Sequence, residues 1–141
     1  MKIICNYEGK KVCNIYVASD NISFPYDDWD DFGLSIIGMW MGEIYEKVNK
    51  DPQNNNVSFE LYFMDGPYYL KCYKCGETAI IMAIDDHDGT AVFNEECKYI
   101  DLLNELLTVA KSIKKIAYID DRLEDDFNVL SYEIDLLEKG E

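Results

Sequence analysis

Basic residues are scarce in this chain, and arginine most of all. Arg122 is the single arginine and His87 the single histidine. Thirteen lysines and arginines face 28 acids across 141 residues, for a net charge of −15. A protein that grips nucleic acid needs lysine and arginine to neutralise phosphates, and arginine to read bases. The composition therefore excludes direct nucleic-acid binding and speaks against an anionic membrane surface. One histidine leaves little for histidine-based catalysis, and no nucleophile motif accompanies it. Serine-hydrolase elbows, phosphate-binding glycine loops, HExxH and kinase motifs are all missing, so no catalytic residues are assigned and no enzyme is expected. Paired carboxylates suit a glycosidase, but in so acidic a chain pairs arise by chance. Long hydrophobic runs are missing too. The longest, Gly33 to Gly42, is interrupted by Ser35, and a membrane-spanning helix needs about 20 residues. The first eighteen residues, MKIICNYEGKKVCNIYVA, carry charges throughout and lack a signal-peptide core. The expectation is a single soluble domain, 1–141, in the cytoplasm.

What is present reads as a globular protein: 48% hydrophobic and 13% aromatic residues are enough to build a core. The five cysteines, Cys5, Cys13, Cys72, Cys75 and Cys97, are an odd number in a chain without a leader, which predicts reduced thiols. Cys72 and Cys75 form a CxxC. A structural zinc site wants four ligands, and no second pair or suitably spaced histidine supplies them. On a strand, residues three apart face opposite ways, so a strand is the simpler reading and no metal or cofactor is expected.

Periodicity sets the order of elements. Ile3–Asn6 and Val12–Val17 flank Glu8-Gly9-Lys10 as a hairpin, and residues 19–26 are expected as a loop. Trp29, Phe32, Ile36, Ile37, Trp40, Ile44 and Val48 recur at spacings of three and four, which predicts a helix over 29–48. Asp27 or Asp28 would cap it, and Asp30 and Asp31 would favour its positive end. Ser35, Gly38 and Gly42 lie on the other side. Two glycines inside a helix cost about 0.5–1 kcal/mol each relative to alanine, so a close packing partner is expected there.

NKDPQNNN breaks the chain, and strands follow at Val57–Met64, Tyr68–Tyr73, Thr78–Ile84 and Thr90–Asn94. Their connections are Asp65-Gly66-Pro67, Gly76 and Asp85-Asp86-His87-Asp88-Gly89. The last has the composition of a calcium loop but the wrong spacing, and is read as a turn. Two helical stripes close the chain: Tyr99, Leu102, Leu103, Leu106, Ala110, Ile113 and Ala117, then Leu123, Phe127, Leu130, Ile134 and Leu137. The expected architecture is α+β: an antiparallel sheet of about five or six strands, a typical size, with the long helix on one face and two C-terminal helices.

One stretch resembles a known group. The segments FPYDDWDDFGLSIIGMW, VSFELYFMDGPYYLKC and AIIMAIDD, within residues 24–85, are similar to small bacterial immunity proteins that accompany contact-dependent growth-inhibition toxins. Trp29-x-Asp31-Phe32, the helix with Trp40, and Phe63-Met64-Asp65-Gly66-Pro67-Tyr68 carry the likeness. The resemblance implies a cytoplasmic antitoxin that binds and neutralises one cognate toxin, often a nuclease with a basic surface. Inhibitory residues differ among such proteins, so none carries over. Charge density alone singles out Asp120, Asp121, Glu124, Asp125 and Asp126, joined by Asp85, Asp86 and Asp88, as the partner-binding set. The alternative is a non-catalytic module that binds a small ligand or serves a structural role.

Overall fold

The structure is a computed structural model that describes residues 1–117 and 124–139, with the side chains of residues 117 and 124–127 outside the description. It is α+β, with antiparallel strands, one long helix and two later helices, as the periodicity predicts. The strands divide between two four-stranded sheets instead of forming one.

In the first sheet β1 (Lys2–Asn6) pairs with β2 (Cys13–Ser19). The other edge of β2 takes β3 (Ile22–Phe24), inside the segment expected as a loop, and the two-residue β4 (Asp30–Asp31). The second sheet is a meander of β5 (Asn56–Tyr62), β6 (Tyr68–Cys75), β7 (Thr78–Asp85) and β8 (Thr90–Lys98). Phe59, Leu61, Leu70, Cys72, Ala79, Ile81, Ala83 and Phe93 all point inward from it. Period-two burial of this kind marks a sheet with one face on the core. Cys72 is buried and Cys75 exposed, so the CxxC projects from both faces of β6 and cannot close on one ion.

Helix α1 runs Gly33–Ile44, and its last turn widens to a π-helix over Tyr45–Asn49. It therefore starts four residues after the expected position. Residues 29–31 are claimed by the free edge of β2: Ile15 N donates to Trp29 O at 2.8 Å, and Cys13 and Asn14 pair with Asp31 and Asp30. Asp28 takes a positive φ of 58°, incompatible with a helix start. None of the aspartates caps α1; the residue preceding it is Phe32, with no side-chain cap.

Once begun, α1 is enclosed. Leu34, Ile36, Ile37, Trp40, Met41 and Ile44 are all buried, which is how a helix with apolar residues on most sides is accommodated. Trp40 donates to Tyr62 O at 2.7 Å and meets Phe63 edge-on at 5.3 Å. The glycine side takes helix α3 (Glu124–Lys139). A Cβ on Gly38 would lie 3.7 Å from Val129, and one on Gly42 would lie 3.2 Å from the Glu133 carboxylate. Helix α2 (Tyr99–Ala117) lays Leu102, Leu103, Leu106, Ala110 and Ile113 against the same core. Ser19 Oγ donates to Glu95 at 2.7 Å, and Ile3 N to Glu105 at 2.9 Å, joining the first sheet to β8 and to α2. Among the described residues no helix is long and apolar enough to cross a membrane.

Candidate partner-binding surface

The clearest polar organiser is Asp31, which is 2% exposed. Its Oδ1 accepts the Phe32 N–H at 2.8 Å. Its Oδ2 accepts Trp29 Nε1–H at 3.1 Å, Met64 N–H at 3.1 Å and Asp65 N–H at 3.0 Å. Four donors satisfy a carboxylate that burial would otherwise penalise heavily. The result ties the segment before α1 to the tip of the β5–β6 hairpin. A second bond extends the tie: Asp86 N donates to Pro67 O at 2.9 Å, so the turn between β7 and β8 lies beside the hairpin tip.

Aromatic rings fill this corner. Tyr68 packs edge-on against Trp29 at 5.3 Å, Phe24 at 5.7 Å, Tyr26 at 6.0 Å and His87 at 5.7 Å. The Tyr26 and Tyr68 hydroxyls are 3.3 Å apart. That hydrogen bond, and then burial, push the Tyr68 phenol up to about 12, so it stays protonated near neutrality. Tyr62 stacks on Tyr69 at 4.9 Å and donates its hydroxyl to Glu60, which raises its phenol to about 12. Tyr26, Tyr62 and Met64 remain about half exposed, at 57%, 49% and 49%.

Carboxylates surround these rings. Asp27, Asp28, Asp30, Asp65, Asp86 and Asp88 are exposed, and Asp85 is half-buried. Asp85 and Asp88 also shape their own turn. Asp85 Oδ1 accepts His87 N–H at 3.1 Å and lies 2.8 Å from His87 Nδ1, while Asp88 accepts Thr90 N–H at 3.0 Å. Bonds from Thr90 hold the Asp88 carboxyl below its ordinary value. Gly89 closes the turn at a φ of 75°. The DDHDG stretch is a turn, as its spacing predicts.

The structure thus gathers Asp85, Asp86 and Asp88 and adds neighbours that charge density did not reveal: Tyr26, Trp29, Tyr62, Met64, Asp65 and Tyr68. A concentration of tyrosines beside turn aspartates was the available signal. Of the C-terminal acids, Asp120 and Asp121 lie outside the described residues. Glu124, Asp125 and Asp126 begin α3, and their side chains lie outside the description. Helix α3 runs in the same direction as α1, because Val129 meets Gly38 and Glu133 meets Gly42. Its first turn therefore lies toward the end of α1 that carries Asp31 and the hairpin tip.

Exposed tyrosine rings offer rigid apolar area and faces that attract cations, and carboxylates accept paired hydrogen bonds from guanidinium. No family model, curated protein or solved structure matches the chain.

Proposed function

We propose that the protein is an immunity protein: it binds a cognate toxin domain with a basic surface, a nuclease in the leading case, and neutralises it by occlusion. The observation that carries this reading is the rim of half-exposed Tyr26, Tyr62 and Met64 set among Asp65, Asp85, Asp86 and Asp88, in a chain of net charge −15. A nuclease presents lysine and arginine to its substrate. An acidic rim covers the same groups and draws them in by long-range attraction, while the aromatic residues supply the short-range anchors. The likeness of residues 24–85 to immunity proteins supports the reading as well. Of the residues that carry it, Met64 and Asp65 lie in the rim and Asp31 holds them from beneath, while the helix with Trp40 lies in the core. Charge density alone adds Asp120, Asp121, Glu124, Asp125 and Asp126 to the proposed partner-binding set. Binding at such a site needs no chemistry from the antitoxin and no cofactor, and it takes place in the cytoplasm.

The test uses the product of the neighbouring gene, which the proposal expects to carry a basic nuclease toxin domain. Stoichiometric addition abolishes the toxin's nuclease activity. Reversing Asp65, Asp86 and Asp88 to lysine slows association by about tenfold or more at low salt, an effect that shrinks as salt screens it. Unchanged association and unchanged salt dependence would show that this rim is not the docking surface, and failure to inhibit at all would sink the immunity reading.

A second reading has one observation behind it. A cavity of about 380 Å³ lies between the β6–β7 turn and the start of α2, lined by Lys74, Gly76, Glu77, Lys98, Tyr99 and Ile100. A small-ligand module would use such a space, and it would show no preference for basic proteins.

A further inference from the structure

The thiols of Cys5 and Cys13 play no part in the proposed binding surface, yet they are arranged for chemistry. Cys5 lies opposite Ile15 in the β1–β2 ladder, and Cys13 is two positions further along, so both side chains leave the sheet on the same face. Their sulfurs are 3.9 Å apart. Both sit over Gly33, the first residue of α1: a Cβ there would collide with Cys13 Sγ and lie 3.2 Å from Cys5 Sγ. The Gly33 backbone N–H, at the positive end of α1, favours the Cys13 thiolate. Cys13 is buried and Cys5 is half-buried.

We propose that Cys5 and Cys13 form a dithiol that hydrogen peroxide oxidises to a disulfide, with Cys13 as the attacking thiolate and Cys5 as the resolving thiol. The first step forms a bond between Cys13 sulfur and one peroxide oxygen and breaks the O–O bond. The departing hydroxide takes up a proton as water, and Cys13 is left as a sulfenic acid. In the second, Cys5 sulfur attacks Cys13 sulfur and breaks its S–O bond. The oxygen leaves as a second water, carrying the Cys5 proton. Two thiols and one peroxide give one disulfide and two waters, and a thiol reductant reverses the change.

The assignment of roles follows from the surroundings. The hydrogen bond from Cys5 and the Gly33 N–H lower the Cys13 thiol, against burial and the nearby Asp30 and Asp31 charges, which raise it. The same pairing, together with burial, raises Cys5. A helix start lowers a cysteine's pKa, and a neighbouring thiol supplies the resolving partner. A disulfide needs sulfurs at about 2.05 Å, so they must approach by about 1.9 Å. The last β1–β2 pair is Asn6 with Asn14, while Cys13 pairs with Asp31 of β4, so the approach falls to rotation of the two side chains and to the 7–12 connection. By contrast, Cys72 is sealed in the core and burial raises its thiol, while Cys75 is an exposed lone thiol on the far face of β6.

The experiment is peroxide titration of the native protein, followed by alkylation of remaining thiols and tryptic mapping without reduction. Lys10 and Lys11 separate the two cysteines, so they share a peptide mass only when bridged. The expected result is a linked pair of peptides, residues 3–10 with 12–47, each thiol short of one hydrogen, formed while Cys72 and Cys97 stay alkylatable. In Cys5→Ser, a sulfenic-acid trap should label Cys13. In Cys13→Ser, oxidation of Cys5 should slow by about tenfold or more, as expected when the favoured thiolate is lost. The proposal is overturned if a peroxide dose that oxidises the exposed Cys75 leaves the Cys5 and Cys13 peptides unlinked. It is equally overturned if the link forms no faster than in the urea-unfolded chain. Both criteria use the unmutated protein, so neither depends on a variant folding.

Discussion

Replacing Asp31 by alanine should cost the protein about 2–4 kcal/mol, because it strips the acceptor from four partly buried donors. The figure can be built from the four bonds. Met64 N–H and Asp65 N–H lose their acceptor at the hairpin tip, and Phe32 N–H loses it at the start of α1. An orphaned donor costs about 1–3 kcal/mol where water cannot reach it. At this half-buried corner the low end applies to each of the three, and the Trp29 indole adds about as much. Relief from no longer desolvating a carboxylate offsets part of that sum. Asp31→Asn should be milder. With its amide oxygen in the Oδ2 position, asparagine still accepts Trp29, Met64 and Asp65, and it forfeits only Phe32, which then faces the amide NH2. The order of stability is wild type, then Asn, then Ala. Urea unfolding followed by far-UV circular dichroism measures it, and amide shifts of Met64 and Asp65 report the local change. An alanine variant within about 1 kcal/mol of wild type, the scale of an ordinary surface change, would show that Asp31 does not hold the corner together.

Other outcomes follow from the same geometry. Gly33→Ala should destabilise by about 1–3 kcal/mol through overpacking, and Cys13→Ala in the same chain should recover most of the loss, because the collision is with Cys13 Sγ; equal losses with and without Cys13 would refute the contact. Trp40→Phe should cost about 2–3 kcal/mol, from the lost bond to Tyr62 O and the space left behind, measured by urea unfolding. Burial, and then the neighbouring Glu46 charge, raise the Glu133 carboxyl above its ordinary 4.5. Its ionised form is therefore a cost in the folded state, present near neutrality and relieved as pH falls through the raised value toward 4.5. Glu133→Gln should be more stable than wild type at neutral pH, with the difference fading on acidification; a difference that grows instead would reverse the sign.

The elements were legible where one periodicity ran uninterrupted. The stripes of α2 and α3, the alternation along β5–β7, the opposite faces of Cys72 and Cys75 and the turn at 85–89 all follow from neighbours a few residues apart. The small side of α1 correctly anticipated a close partner, which is α3. The start of α1 was not legible, because Trp29 and Phe32 continue its spacing although β2 holds residues 29–31 in a strand. Competition of that kind is decided by a partner strand more than ten residues away, and no local window contains it.

The candidate surface divides in the same way. Composition by itself determined that the protein is strongly acidic and poor in arginine, and so which classes of partner its charge can attract. Hydrophobic spacing determined an antiparallel α+β domain with three helices. Only the tertiary structure decided that the strands split into two sheets, that the aspartate expected to start a helix instead binds two chain segments together, and that Tyr26, Trp29, Tyr62 and Tyr68 meet the turn aspartates at one corner. It alone brought Cys5 and Cys13 together over a glycine. The physical reason is range. Helix and strand preferences are set by side chains a few positions apart, whereas a binding corner or a thiol pair exists only where the folded core places distant residues within a few ångströms.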